Sequence, residues 1–174
     1  TPKGRSIHGQ GITPDIVVEP KKLSALELNL ERLSTFFDFA IRYAIAHPDL
    51  KPDFEVSDAI VNEFREFLKE KKFTYKNELE LKLEELEKIA KEKENDPALI
   101  AEIEKFRGAI SSHKESEFDQ SIDYIRRSIK RDILTRLYNE SEVYKQVVLK
   151  DDPYIKKAVS ILASPKEYAG ILGG

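Results

Sequence analysis

The sequence predicts a mainly α-helical fold, with a short extended segment ahead of a multi-helix region. Three observations carry that prediction. From Leu23 onward, apolar residues recur at the three- and four-residue spacings of a helix face. Charged residues make up 35% of the chain and hydrophobic ones 40%, a balance that suits helices, each of which needs only one apolar stripe. The 7 glycines and 8 prolines of the 174 residues are too few for the many tight turns of an all-β fold.

Residues 1–22 stand apart. Gly4, Gly9 and Gly11 fall here with Pro2, Pro14 and Pro20, and between them lie Ile12 and Ile16-Val17-Val18, which read as strand ends and loop. So short a segment cannot form a sheet alone. It is expected to complete a sheet whose other strands lie upstream of Thr1. The chain therefore divides into residues 1–22 and a helical region, 23–174.

In that region Leu33, Phe36, Phe37, Ala40, Ile41, Ala44 and Ile45 predict one broad apolar helix face that ends at His47-Pro48. Ser57 and Asp58 supply a cap before Ile60, Val61, Phe64, Phe67 and Leu68. Leu79, Leu83, Leu86 and Ala90 form a narrower stripe, broken at Asn95-Asp96-Pro97, where Asp96 can cap and Pro97 suits the first helical position. Leu99, Ile103, Phe106 and Ile110 then repeat the rhythm, so the two stripes predict an antiparallel hairpin. Phe118, Ile122, Ile125, Ile129, Ile133 and Leu137 predict the longest helix. Asp152-Pro153 opens a helix with Ile155, Val159 and Leu162, and Ser164-Pro165 opens one with Tyr168, Ile171 and Leu172.

A net charge of -3 provides no long-range attraction for nucleic acid. No apolar run approaches the roughly 20 residues needed to span a bilayer. Without cysteine there is no disulfide or thiolate metal site, and without methionine the chain is expected to be a fragment or a processed product.

The run from Thr1-Pro2-Lys3-Gly4-Arg5-Ser6-Ile7-His8-Gly9-Gln10 to Gly11-Ile12-Thr13-Pro14-Asp15-Ile16-Val17-Val18 resembles the segment "TPSGRSIQGxGIxPDIxV". That segment marks the PDZ-containing carboxyl-terminal processing peptidases, or tail-specific proteases. Lys3 replaces the usual serine and His8 the usual glutamine; the Gly-Arg-Ser and Gly-Ile-x-Pro-Asp framework is intact. The helical tail of some bacterial members is similar to Phe54-Glu55-Val56-Ser57-Asp58, Glu63-Phe64, Phe67-Leu68 and Phe73-Thr74-Tyr75. Their ends resemble Lys150-Asp151-Asp152-Pro153 with Ala158, Leu162, Tyr168 and Leu172.

The resemblance implies that residues 1–22 are the last strands of a protease core. It also implies a parent serine endopeptidase of the bacterial envelope or periplasm. There a serine activated by a lysine cleaves unstructured protein C-termini that a PDZ module helps to recognise. Both catalytic residues precede the matched segment in that family. This chain is thus expected to hold no catalytic, cofactor-binding or metal-binding residue and to be inactive alone. Its implied partners are the upstream protease and PDZ domains, protein substrates, and a second copy or an adaptor. Its own role is then structural, in oligomerisation or in adaptor docking. The competing reading is a non-enzymatic helical interaction module.

Other constellations carry less. Ser6 and His8 share a side of an extended chain, but no orienting acid is close in sequence. His8, His47 and His113 stand alone, without metal-ligand spacing. Arg126, Arg127, Lys130, Arg131 and Arg136 interleave with Asp119, Asp123 and Asp132, which predicts a salt-bridged helix face and not a nucleic-acid surface.

Overall fold

The computed structural model describes residues 14–19, 21–94 and 97–172. The chain divides into two compact units, one spanning Lys22–Val147 and the other taking the flanks, Thr1–Lys21 and Val148–Gly174. The expected β segment falls mostly on residues 1–13, outside the described residues. Its described end, 14–19, bends at Asp15 and Ile16 and forms no strand. A strand needs a partner, and none is present among the described residues.

The larger unit opens with α1 (Ala25–Arg32). Ser24 and Glu27 close a reciprocal capping box over its first turn, Ser24 Oγ accepting from Glu27 N at 3.1 Å and Glu27 Oε2 from Ser24 N at 2.8 Å. Next comes α2 (Thr35–Ala46), reached through a single left-handed residue, Ser34 (φ 53°, ψ 31°). Thr35 Oγ1 secures that corner by donating to Leu30 O at 2.8 Å. The helix ends at His47, ahead of Pro48. Ser57 holds the N-cap position of α3 (Asp58–Glu70) but makes no side-chain capping bond. At its other end Lys72 turns left-handed (φ 51°), and Phe73 N donates to Leu68 O at 2.9 Å while Lys72 N donates to Lys69 O at 2.9 Å. That pair of bonds is a Schellman closure, for which glycine is the usual residue.

Asn77 and Glu80 form a second capping box at α4 (Glu78–Ile89), which runs on into a π-helical turn, Ala90–Glu94. Pro97 begins α5 (Pro97–Gln120), whose 24 residues make it the longest described helix. The long helix expected over Phe118–Leu137 is therefore corrected. Phe118 belongs to α5, and Ser121 (φ −94°, ψ 9°) interrupts before α6 (Ile122–Leu137). A short α7 (Glu140–Val143) and a π turn (Tyr144–Val148) follow.

The main core gathers α1, α2, α3 and α6, with α6 packed along α2. Phe64 is at its centre, stacked on Phe36 at 5.2 Å and meeting Phe39 edge-on at 5.2 Å. Leu30, Ile125, Ile129 and Ile133 seal it with no exposed surface. The broad face expected on α2 is rotated: Phe36, Phe39, Ala40, Tyr43 and Ala44 are buried, whereas Leu33, Phe37 and Ile45 are exposed. A helix so apolar on several sides shows no unique inward face by periodicity, and here its neighbours choose one.

A smaller cluster, Leu83, Ala90, Ile103 and Ile110, joins α4 to α5. Glu80 pairs with Lys114 (2.8 Å) and Glu87 with Arg107, so residue numbers rise along one helix as they fall along the other. The two helices are an antiparallel hairpin.

In the second unit, α8 (Leu149–Asp151), α9 (Pro153–Leu162) and α10 (Pro165–Leu172) follow one another closely. Asp152 caps α9 by accepting from Tyr154 N (2.7 Å) and Ile155 N (3.0 Å), with Pro153 at the first helical position. Lys157 and Glu167 bridge α9 and α10 at 3.1 Å.

Candidate functional site

A cleft of about 580 Å³ lies between α2 and α3 in the larger unit. It follows from two helical stripes: Phe39, Arg42, Tyr43 and Ala46 on one side, and Ala59, Asn62, Glu63, Glu66 and Glu70 on the other, with His47 at one end. The core sides of the same helices touch through Phe39, Phe64 and Phe67, which fixes the separation of the cleft walls. His47 stacks on Tyr43 at 4.1 Å, and its Nδ1 lies 3.0 Å from Tyr43 O.

The cleft is acidic overall. Arg42 donates to Glu70, a hydrogen bond and charge that hold the Glu70 carboxyl below its usual range. Glu66 accepts from Lys69 at 2.8 Å. Burial pushes the Tyr43 hydroxyl up, and the Glu63 charge adds to the effect.

A second, smaller hollow of about 280 Å³ is lined by Leu26, Leu68, Phe73, Tyr75, Ser111, Lys114 and Phe118. Its polar edge is internally satisfied. Tyr75 donates to Glu117, and Lys114 donates to Tyr75 O and to both Glu80 oxygens (3.0 and 2.8 Å) while lying 4.2 Å over the Tyr75 ring. Burial and the Glu117 bond together push the Tyr75 hydroxyl far up.

Between α1 and α6, Glu31 accepts from Tyr124 (2.7 Å) and from both terminal nitrogens of Arg131 (3.1 Å). Burial raises the Glu31 carboxyl, but the bonds from Arg131, Tyr124 and Ser128 outweigh it and hold the group below its usual value. Burial and that same carboxylate push the Tyr124 hydroxyl up to about 12. Arg126 donates to Val56 O and pairs with Asp58, while Lys130, nearly buried, reaches Glu55 at 3.1 Å. Three members of the basic cluster thus spend their charges inside the fold.

Ser6 and His8 lie outside the described residues. His47 caps α2 and lines the cleft, and His113 is exposed on α5. No group of three or more metal-ligating side chains occurs among the described residues, and no described helix is long and apolar enough to cross a membrane.

The hairpin presents a different kind of surface. Leu79 and Leu86 lie about 40° round α4 from the buried Leu83–Ala90 line. Leu99 and Phe106 have the same offset, in the same sense, from Ile103–Ile110 on α5. Because the helices are antiparallel, equal offsets fall on the same side of the pair. All four are exposed, Leu79 and Phe106 at 55% each, and together they make one apolar strip.

A family model described as "Probable PDZ-protease, C-terminal helical domain" matches residues 26–162. The chain belongs to this family. No curated protein and no solved structure matches it. The match to the PDZ-protease helical domain runs from the second residue of α1 to the last of α9. Of the tail positions that resembled tail-specific proteases, the apolar ones between 54 and 75 are core: Val56, Phe64, Phe67 and Leu68 are buried, and Phe54, Phe73 and Tyr75 pack against them, whereas Ala158, Leu162 and Tyr168 near the end are exposed. The sequence did not reveal the cleft, although the spacing of Glu63, Glu66 and Glu70 beside the buried Phe64 and Phe67 marked an acidic edge to that helix.

Proposed function

We propose that this PDZ-protease helical domain serves a serine-type peptidase that processes protein C-termini in the bacterial cell envelope, and that its own role is non-catalytic. The resemblance of Thr1–Val18 to a segment lying after the catalytic serine and lysine supports the first part. The observation that carries the second is the strip Leu79, Leu86, Leu99 and Phe106, whose side chains are left without cover by the hairpin that presents them. Exposed apolar strips of this kind mark contact surfaces. A second copy of the chain is the occupant that symmetry favours. The 12 residues of α4 extend only about 18 Å, so the contact is small and the dimer weak.

Light scattering over a concentration series tests this reading. The chain should pass from monomer to dimer, and a Leu86→Glu/Phe106→Glu variant should remain monomeric with an unchanged helical circular-dichroism spectrum. A wild-type chain that stays monomeric throughout overturns self-association. The chain alone should also leave an unstructured protein uncleaved; cleavage abolished by Ser6→Ala would overturn the non-catalytic role.

A further inference from the structure

We propose that the α2–α3 cleft is a docking groove for an extended polypeptide segment of another protein, which inserts a lysine or arginine side chain beside Tyr43, His47 and Glu63. This goes beyond the assembly role of the hairpin and does not depend on it.

Charge comes first. Three of the lining residues are glutamates and one is an arginine. Arg42 is held by Glu70 and Glu66 by Lys69, whereas Glu63 makes no hydrogen bond or close ion pair among the described residues and feels Arg42 only through its longer-range charge. The carboxylate left over makes the groove complementary to a cation. Its charge already reaches the opposite wall, where it acts on the Tyr43 hydroxyl.

The wall facing Glu63 suits the same guest. Tyr43 and His47 stack there with ring centroids 4.1 Å apart; His47 is the exposed ring of the pair, and Tyr43 and Phe39 lie buried behind it. A guanidinium or ammonium between an aromatic face and a carboxylate gains from both at once. Arginine suits it best, because its planar head stacks while its edge donates.

Shape selects a polypeptide. The stripe from Phe39 to Ala46 runs about 10 Å along α2 and that from Ala59 to Glu70 about 16 Å along α3, at 1.5 Å per residue. At about 3.3 Å per residue, such a groove holds three to five residues of extended chain. The exposed Asn62 amide can bond to a backbone passing through it.

Amide chemical-shift titration of the whole chain is the test. The probe is an acetylated, amidated Gly-Ser-Arg-Ser-Gly pentapeptide; its control replaces arginine with citrulline, a neutral isostere. The arginine peptide should shift amides of residues 39–47 and 59–70 in a saturable manner. The citrulline peptide should bind at least about threefold more weakly, as should the arginine peptide to Glu63→Gln. Glu102→Gln, on the exposed face of α5, should bind as the wild type does. The proposal is overturned by absence of shifts in those stretches at millimolar peptide, by equal binding of the two peptides, or by undiminished affinity in Glu63→Gln. Shifts there that track the protein's own concentration would overturn it too, because they would make the guest a second copy.

Discussion

The α1–α3–α6 core and the α4–α5 hairpin are built from similar apolar spacings, yet they bury them to different extents. In α3, all of Ile60, Val61, Phe64, Phe67 and Leu68 are covered, because α1, α2 and α6 supply the other sides of the core. In the hairpin each helix has one partner, and every second residue of the stripe stays in water. A periodic stripe therefore states where a helix can be covered, and the number of neighbours decides how much of it is.

Truncation at the two centres breaks or sharpens that contrast most strongly. Phe64→Ala should lower global stability by about 3–5 kcal/mol in denaturant unfolding, since Phe64 is fully buried and touches three other aromatic rings. Leu83→Ala should cost less, about 2–3 kcal/mol, and should act locally. Hydrogen exchange should then accelerate in α4 and α5 while α2, α3 and α6 stay protected. Equal loss of protection in both regions would show a single cooperative body in place of a firm core with a looser appendage.

Glu31 probes the polar side of the core, with a smaller effect. Glu31→Gln should cost about 1–2 kcal/mol by weakening the bonds to Arg131 and Tyr124. The Glu31 carboxyl is held below its usual value, so its contribution is present above the ordinary carboxylate range and is lost as pH falls through the lower folded value. Tyr124 has the opposite sign. Raised to about 12, its neutral form stabilises the fold below the ordinary tyrosine range, and that contribution disappears as pH rises through the folded value. Acid and alkaline unfolding curves of wild type and Glu31→Gln should therefore differ at both limbs. Superimposable curves would remove this network from the account of core stability.

The smallest effect is a gain. Lys72→Gly should stabilise the chain by about 0.5–1 kcal/mol in thermal unfolding, because a lysine at φ 51° bears a steric penalty that glycine does not. An unchanged or lower melting temperature would mean that the lysine is held there by more than the helix closure.

Where a boundary rested on a residue with few conformations, the sequence disclosed it. Pro97, Pro153 and Pro165 each begin a helix, and Asp152 caps as its chemistry suggests. Where a boundary rested on a backbone state that several residue types can adopt, it did not. Ser34 and Ser121 separate helices with no glycine or proline to mark them, so apolar spacing alone carries Leu33, the C-cap of α1, onto the face of α2 and Phe118 onto α6. The cleft was hidden for a different reason. Tyr43 and Glu63 are twenty positions apart, and only the Phe39, Phe64 and Phe67 contacts bring their helices side by side.

The π turn at Ala90–Glu94 bears on how this protein can change over generations. A π turn accommodates one residue more than an α turn, and it begins at Ala90, the last buried position of α4's stripe. Deleting one residue from 91–94 would return that stretch to ordinary helical phase while Leu83 and Ile110, nearer the base, keep their contact. Related chains should accordingly differ by single-residue insertions and deletions at this tip far more often than anywhere along α3, where one such change would rotate Phe64 out of its aromatic cage.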